Sequence, residues 1–583
     1  MHRKPVVILL LLCAITFGNA LRNGFVGDDN FLILQNEFYS SFSNIKDLFT
    51  SRYLTGPAAA ISPADTARYF SGSVAYRPVL SLTYFWDYAL WKEQPFGYHF
   101  TSLLWHTANT LLVYWLIFLV SGQAGVAFWA AAIFAVHPFK SEAVCAISYR
   151  ADLVAALFVL LGMIAHVQFR RRREVTWAAA AHTAFFLAVF AKEAAIVFPG
   201  MVFCYDRFCV RREEQGDDWR RFIVPYAGYA AIGAFYIYIY LFVFRNEQAA
   251  SVTWLGGSPG MHLIKSVQIL AGYVTGLFLP FVVKVLPPVY LPPMTDAFVL
   301  TAALTAAIVA LTAWTSVLFS RRGSANAFFI GWFWLTLIPV SNLIPLVNPM
   351  AHRFMYLPSV GMAFMLAVFL HAAGEWMNAR LRSRNFVTIF AGAYVLAAMI
   401  IAIRINAAWR HDYIMAYRLY QNHPRDPVSH LFMGLTYVRI GEPEKAERVI
   451  LDGIRLGLDD PRVYYILALS RKDDYDLAAG YLNKGVSVYP DYPMLYLGLG
   501  RTYLMKGDLV RARQALRQCL ALQPSYRAYN YLFQVLLLEK DAPGLAALQR
   551  EISAVMRDPQ YDAFLAKTLQ IKDTLTLPED NGF

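Results

Sequence analysis

Charge is scarce in this chain. Only 16% of its 583 residues are Asp, Glu, Lys or Arg, against about a quarter in an average soluble domain, and 57% are hydrophobic. That balance excludes an ordinary soluble protein of this length and implies a membrane protein. Cysteine is almost absent as a structural device. Cys13, Cys145, Cys204, Cys209 and Cys519 show neither metal-ligand spacing nor a disulfide framework, and the redox compartment stays open on them. The net charge of +12 has no meaning for partners until the arginines are located.

What the chain has in abundance is long apolar runs, and they stop near Asn406. Runs of about 15 to 23 residues suit a bilayer core of about 30 Å. Eleven candidate spans lie at 5–21, 99–120, 125–138, 151–169, 175–190, 194–206, 222–244, 297–319, 327–347, 353–373 and 387–405. The arginine clusters at Arg170 to Arg173, Arg207 to Arg221, around Arg321 and at Arg380 to Arg384 fall in alternate loops. By the positive-inside rule those loops are cytoplasmic, so the basic charge is topological and no nucleic acid is implied. A further apolar segment, 262–282, would break this parity if it spanned; with its "LP" and "PPVYLPP" neighbours it is expected to be interfacial or re-entrant. The first span has the alternative of a cleaved signal peptide ending at "GNA", Ala20. In either case "NGFVGDDNFLILQN", with Asp28 and Asp29, faces the periplasm or lumen.

Beyond residue 406 the period changes. "HLFMGLTYVRIGEPEKAERVILDGI" from His430 and "YLGLGRTYLMKGDLVRARQALRQCLALQP" from Tyr496 place Gly434 with Gly500, Tyr437 with Tyr503, Gly441 with Gly507 and Ala446 with Ala512. A shorter copy runs from Tyr464 to Pro490, a degenerate fourth copy or capping helix begins at Tyr526, and an opening half-repeat precedes Asp426. Repeats of about 34 residues with these small residues and turn glycines resemble tetratricopeptide repeats. The expected architecture is all-α: a polytopic helical membrane domain over 1–406, then a soluble α-solenoid of about three to four repeats over 407–583 on the same side as the acids.

Ionisable residues collect in the non-cytoplasmic loops. They are Asp28 and Asp29; Arg77 in "YRP"; His99 in "GYHF"; His137, Glu142, Arg150 and Asp152 in "HPFKSEAVCAISYRAD"; Lys192 and Glu193 in "AKEA"; and His352 and Arg353 in "NPMAHRFMYLP". Such groups at a membrane are functional candidates, although any one of them also fits a helix cap or an ion pair such as Glu142 with Arg150. Together they suit one chemistry. The cations hold a lipid phosphate, Arg bidentately, and a nearby carboxylate takes the proton of an acceptor hydroxyl attacking a sugar carbon. The second acid of the pair raises its neighbour's pKa, which allows one to act as base and the other to orient. There is no glycine-rich phosphate loop or nucleoside-diphosphate fold, so the donor is expected to be a lipid.

The ordered motifs "GDDNFLILQN", "YRPVLSLTYFWDYALW", "GYHFTSLLWHTANTLLVYWL", "HPFKSEAVCAISYRADLVAALF", "AKEAAIVFPG" and "HRFMYLPSVG", followed by the repeats, resemble the transmembrane and tetratricopeptide-repeat protein O-mannosyltransferases and their bacterial relatives. These belong to the GT-C glycosyltransferase superfamily. The resemblance implies metal-independent, inverting transfer of a hexose, mannose first among the candidates, from a polyprenyl- or dolichyl-phosphate carrier to a Ser or Thr hydroxyl of a protein. No cofactor is implied. Asp28 and Asp29 correspond to the first-loop acids of that family, and the repeats would engage the acceptor protein or peptide. The setting would be a bacterial inner membrane with periplasmic repeats, or an endoplasmic reticulum membrane with lumenal ones. Two other readings stand beside it: a non-catalytic membrane-anchored scaffold, and a transferase acting on a glycan or lipid.

Overall fold

A computed structural model describes residues 3–34, 36–49, 76–210, 219–243, 254–255, 257–286, 324–346, 348–381, 385–523 and 526–555. Every regular element among the described residues is helical. The contacts divide the chain into two compact units, one running to Met415 and the other starting at Ala416.

Among the described residues of the first unit, six helices are long and apolar enough to cross a membrane: Arg3–Arg22, Pro95–Ser121, Ile147–Arg172, Val224–Val243, Pro358–Leu381 and Phe386–Arg410. Shorter apolar helices occupy Ala124–Val136, Val175–Ala191 and Ala325–Val340. The protein is a multi-pass membrane protein. Leu11, Ile15, Phe118, Phe369, Ile389 and Leu396 point outward from these helices, as contact with hydrocarbon requires. Proline at the first turn starts several of the helices, where the missing N–H costs nothing: Pro78, Pro95, Pro259 and Pro358.

One expected span is shortened, and two further segments take helical form. The segment 194–206 becomes a short helix of 11 residues, Phe198–Phe208, entered through a 3-10 turn at Glu193–Val197. The segment 262–282 holds a regular 20-residue helix, Pro259–Phe278, capped by Ser258 Oγ accepting from Met261 N at 3.3 Å. The stretch "YRPVLSLTYFWDYALW" also forms a helix, Pro78–Trp91, whose apolar run is short and broken by Asp87. The candidate span 297–319, most of "PPVYLPP" and Arg321 lie outside the described residues.

Small residues let the helices approach closely. On Ala124–Val136, Ala127, Ala130, Ala131 and Ala135 have no exposed surface. At Gly361, a Cβ would stand 2.5 Å from the Phe329 carbonyl oxygen and 2.9 Å from Phe333 N, backbone atoms that cannot move aside. Gly361→Ala is therefore expected to destabilise the first unit by about 1–3 kcal/mol, read as a lowered unfolding temperature in detergent.

The second unit is a series of helix pairs: Pro427–Arg439 with Pro443–Arg455, Arg462–Ser470 with Tyr475–Val488, Pro493–Lys506 with Leu509–Leu522, and Tyr526–Leu538 with Ala542–Val555. The matching glycines do matching jobs. A Cβ on Gly434 would meet Ile450 at 2.5 Å and one on Gly500 would meet Leu516 at 2.5 Å, so each marks where the helices of its pair cross. Gly441 and Gly507 turn the chain at φ +75° and +84°. Asp426, Asp474 and Asp508 each cap the next helix, accepting from Val428 N, Leu477 N and Arg511 N. Residues 556–583 of the expected solenoid lie outside the described ones.

Candidate active site

The loop that carries the two acids is packed down on both sides. Asn30–Leu34 and the turns that follow press Leu32, Ile33, Phe38 and Tyr39 against Tyr84, Phe85, Tyr98 and Ile147 in a small apolar core of their own. Ahead of the acids, Gly24 N donates to the Arg410 carbonyl at 3.1 Å. Gly27 N and Asn30 Nδ2 donate to Asp412 at 2.7 and 3.3 Å. His99 Nε2 lies 3.3 Å from the Gly24 carbonyl. Gly27 takes φ +60°, a conformation open to glycine, and so turns Asp28 and Asp29 inward together.

The two acids are not equivalent. Asp29 is wholly buried and accepts from Ser148 N at 2.7 Å, Ile147 N at 3.2 Å and Val26 N at 3.4 Å. Both its oxygens are thus spent on backbone amides, tying the first loop to the turn Ile147–Tyr149. Burial pushes its pKa up to about 6, with those amides pulling the other way. Asp28 is only half-buried. Its Oδ2 accepts from the Tyr149 hydroxyl at 3.1 Å, and Oδ1 makes no hydrogen bond among the described residues. Burial raises its pKa as well, opposed first by the charge of Arg353 and then by the Tyr149 hydroxyl.

One ion pair faces Asp28, and two more follow in series beyond it. Arg353 pairs with Glu142, whose other oxygen accepts from Arg353 N at 2.9 Å, and the guanidinium lies 3.8 Å from the centre of the Tyr149 ring. Lys192 Nζ donates to both Asp152 oxygens at 2.6 and 2.7 Å and sits 5.0 Å from the Phe354 ring centre. Burial lowers the pKa of Lys192 while Asp152 raises it. Arg77 grips Glu193 bidentately at 3.0 and 2.6 Å. A small cavity lined by Asp152, Lys192, Thr336, Phe354 and Pro358 opens beside the second of these pairs.

The broken stretch before Pro358 is what places Arg353. Tyr356 hydroxyl meets His106 Nδ1 at 2.8 Å and Asn109 Nδ2 at 3.2 Å, Trp332 Nε1 donates to the Leu357 carbonyl at 2.9 Å, and Ala351 N donates to the Tyr273 hydroxyl at 2.8 Å. These bonds satisfy a segment that folds as a 3-10 turn, His352–Met355, ahead of the helix.

The structure thus groups Asp28, Asp29, Glu142 and Arg353, with Arg77, Asp152, Lys192 and Glu193 alongside. The remaining candidates are committed elsewhere. Arg150 is completely buried and pairs with Asp87, while its other nitrogens reach Ser102 Oγ at 3.1 Å and the Tyr98 carbonyl at 2.7 Å. His137 has one nitrogen on the Leu277 carbonyl at 3.0 Å and the other accepting from Phe139 N at 3.2 Å. His352 stacks on the Phe139 ring with centroids 4.7 Å apart. The ion pair expected between Glu142 and Arg150 is not formed: each finds a partner from a distant helix or turn. Contributing residues absent from the expected set are Tyr149, neutral though it lies inside the quoted motif, Asp87, which pairs with Arg150, and Asp412, which holds the first loop.

No protein-family model matches the chain. Among curated proteins it is similar to a protein O-mannosyl-transferase of Caenorhabditis elegans, 32% identical over 29% of this chain and 23% of that protein. It is also similar to protein O-mannosyl-transferase TMTC3 of Mus musculus, 27% identical over 35% of this chain and 22% of the relative. Over a longer stretch it resembles protein O-mannosyl-transferase Tmtc3 of Drosophila melanogaster, 22% identical over 88% of this chain and 58% of the relative. The chain therefore spans less than two thirds of the length of these relatives, all of them named protein O-mannosyl-transferases.

Proposed function

We propose that the protein is a glycosyltransferase that moves a hexose, mannose by the relatives' name, from a polyprenyl-phosphate carrier to a Ser or Thr hydroxyl of a protein. The observation that carries this reading is the asymmetry of the acid pair. Asp28 keeps one carboxylate oxygen unoccupied among the described residues while the other is held, and the charge of Arg353, whose guanidinium lies over the Tyr149 ring, acts on it. In the reaction, Asp28 accepts the acceptor hydroxyl's proton as that oxygen bonds to the anomeric carbon, and the carbon–oxygen bond to the phosphate breaks on the opposite face. The carrier leaves as a polyprenyl phosphate. Arg353, Lys192 and Arg77 offset the charge developing on it. Each of these cations already shares a carboxylate, so the phosphate joins oriented pairs rather than entering a bare cationic pocket.

Sidedness follows from the arginine-rich loops: the acids, and with them the second unit, are assigned to the periplasm or lumen. The helix pairs of the second unit are read as tetratricopeptide-like repeats that hold the acceptor protein. Ending the chain after Met415 retains Asp412 and its bonds to Gly27 and Asn30. Such a truncation is expected to depress transfer to folded protein acceptors while leaving a short peptide acceptor and donor hydrolysis largely unaffected, because only the protein loses an effective concentration of order millimolar. Loss of donor hydrolysis as well would put the second unit inside the chemistry and overturn this division.

The experiment that tests the whole reading is mass spectrometry of periplasmic or lumenal glycopeptides from cells with and without the protein. Hexose on Ser or Thr should vanish at a set of sites and return with the parent chain. Alanine at Arg77, Lys192 or Arg353 should weaken binding of a polyprenyl-phosphate hexose, whereas alanine at Arg172, at the far end of Ala151–Arg172, should not. Undiminished donor affinity in all three would refute the phosphate assignment.

A further inference from the structure

We propose that Tyr149 is a positioning residue for the base of this reaction, its hydroxyl fixing Oδ2 of Asp28 so that Oδ1 is presented to the acceptor hydroxyl. The inference rests on the reading of Asp28 as that base.

The geometry is economical in chain. Ile147, Ser148 and Tyr149 form one turn; the first two residues supply the amides that bind Asp29, and the third supplies the hydroxyl that binds Asp28 at 3.1 Å. One turn therefore sets the position of both acids. The Tyr149 ring is itself clamped. Arg353 lies over its face at 3.8 Å, and Trp409 meets it edge-on with centroids 6.4 Å apart. Arg353 in turn is fixed by Glu142 through its guanidinium and its backbone N–H. A positive charge over the ring withdraws electron density from the phenol oxygen and strengthens its O–H as a donor.

The charged and titratable groups facing Asp28 are Arg353 from the His352–Met355 turn, Glu142 from Ser141–Cys145, Asp412 from the start of Asp412–Asn422, and Tyr149. Burial, Glu142 and Asp412 favour the protonated carboxyl, and Arg353 and Tyr149 favour the carboxylate. A general base works only when ionised. Removing the hydroxyl leaves burial less opposed, so the carboxyl holds its proton to higher pH and the acid limb of the rate profile moves alkaline.

The test uses the full chain in membrane vesicles, with a polyprenyl-phosphate hexose and a Ser/Thr peptide, assayed across the pH range. Tyr149→Phe is expected to move the acid limb of kcat/KM up by about one pH unit, to lower kcat about tenfold below the limb, to recover it at alkaline pH, and to leave the donor KM unchanged. Should Tyr149→Phe be poorly made, 3-fluorotyrosine at this single position keeps the shape and strengthens the donor, and the limb should then move to lower pH. A limb unmoved in both proteins, whether activity is retained or uniformly lost, overturns the inference. Asp28→Asn run in parallel separates the two claims. If it is inactive while the Tyr149 variants leave the limb in place, the positioning role alone fails; if it keeps the parent's activity, the assignment of the base fails.

Discussion

Asp28→Asn is expected to lower hexose transfer by about 100-fold to 10,000-fold while the protein accumulates in the membrane at its normal level. The size follows from losing a placed base. The normal abundance follows from geometry: among the described residues the Asp28 side chain accepts one hydrogen bond, from the Tyr149 hydroxyl, and an Asn oxygen can still accept it. Asp29→Asn should behave differently. Asp29 uses both oxygens to accept from three backbone amides, and an Asn would turn its NH2 group toward at least one of those donors in a wholly buried site. An unsatisfied buried pair of this kind costs about 1–3 kcal/mol, so this variant should show reduced abundance and a lower unfolding temperature along with reduced activity. The pair of measurements is transfer rate and membrane abundance for each single variant. A fully active Asp28→Asn at normal abundance would sink the enzymatic reading, and an Asp29→Asn variant as stable as the parent would show that the amides do not need a carboxylate.

Much of the framework is visible in the sequence because it depends on composition and on local rules. Apolar runs bounded by Pro and Arg locate the long helices, and paired Gly434 and Gly500 announce the crossing helices of the second unit. Helix ends are less so. The expected span 353–373 actually begins at Pro358, since proline suits a first turn and the residues before it are held in a 3-10 turn by a carboxylate. Partner choice is hardest to read. Glu142 and Arg150 are near in sequence and opposite in charge, yet the turn Ile147–Tyr149 between them points Arg150 toward Asp87 and leaves Glu142 to Arg353, a residue 211 positions away. The division of labour between Asp28 and Asp29 depends on which one meets Tyr149 and which one meets the amides. That is a property of the docked loop and not of the letters "DD".

Arg150→Ala is expected to cost about 3–5 kcal/mol of stability, the effect of leaving Asp87 buried with no counter-charge. By sequence Arg150 is one of the cations expected to face a donor phosphate, and its surroundings argue against that use. Its guanidinium is divided among Asp87, Ser102 and the Tyr98 carbonyl, with the Tyr84 ring 5.4 Å away, and none of its surface is exposed. It braces Pro78–Trp91 and Pro95–Ser121 against the start of Ala151–Arg172. It also directly follows Tyr149, so when the brace is lost the turn that holds both acids loses its footing. Activity in Arg150→Ala should therefore fall in step with abundance, and donor affinity of the protein that does fold should match the parent's. The double variant Arg150→Met with Asp87→Leu removes both charges and refills their volume, and it should recover most of the stability, because a buried pair replaced by apolar groups of similar size is often neutral. The measurements are unfolding temperature in detergent and binding of a polyprenyl-phosphate hexose to each purified protein. A stable Arg150→Ala protein with weakened donor binding would return Arg150 to the phosphate site and displace the structural role argued for it.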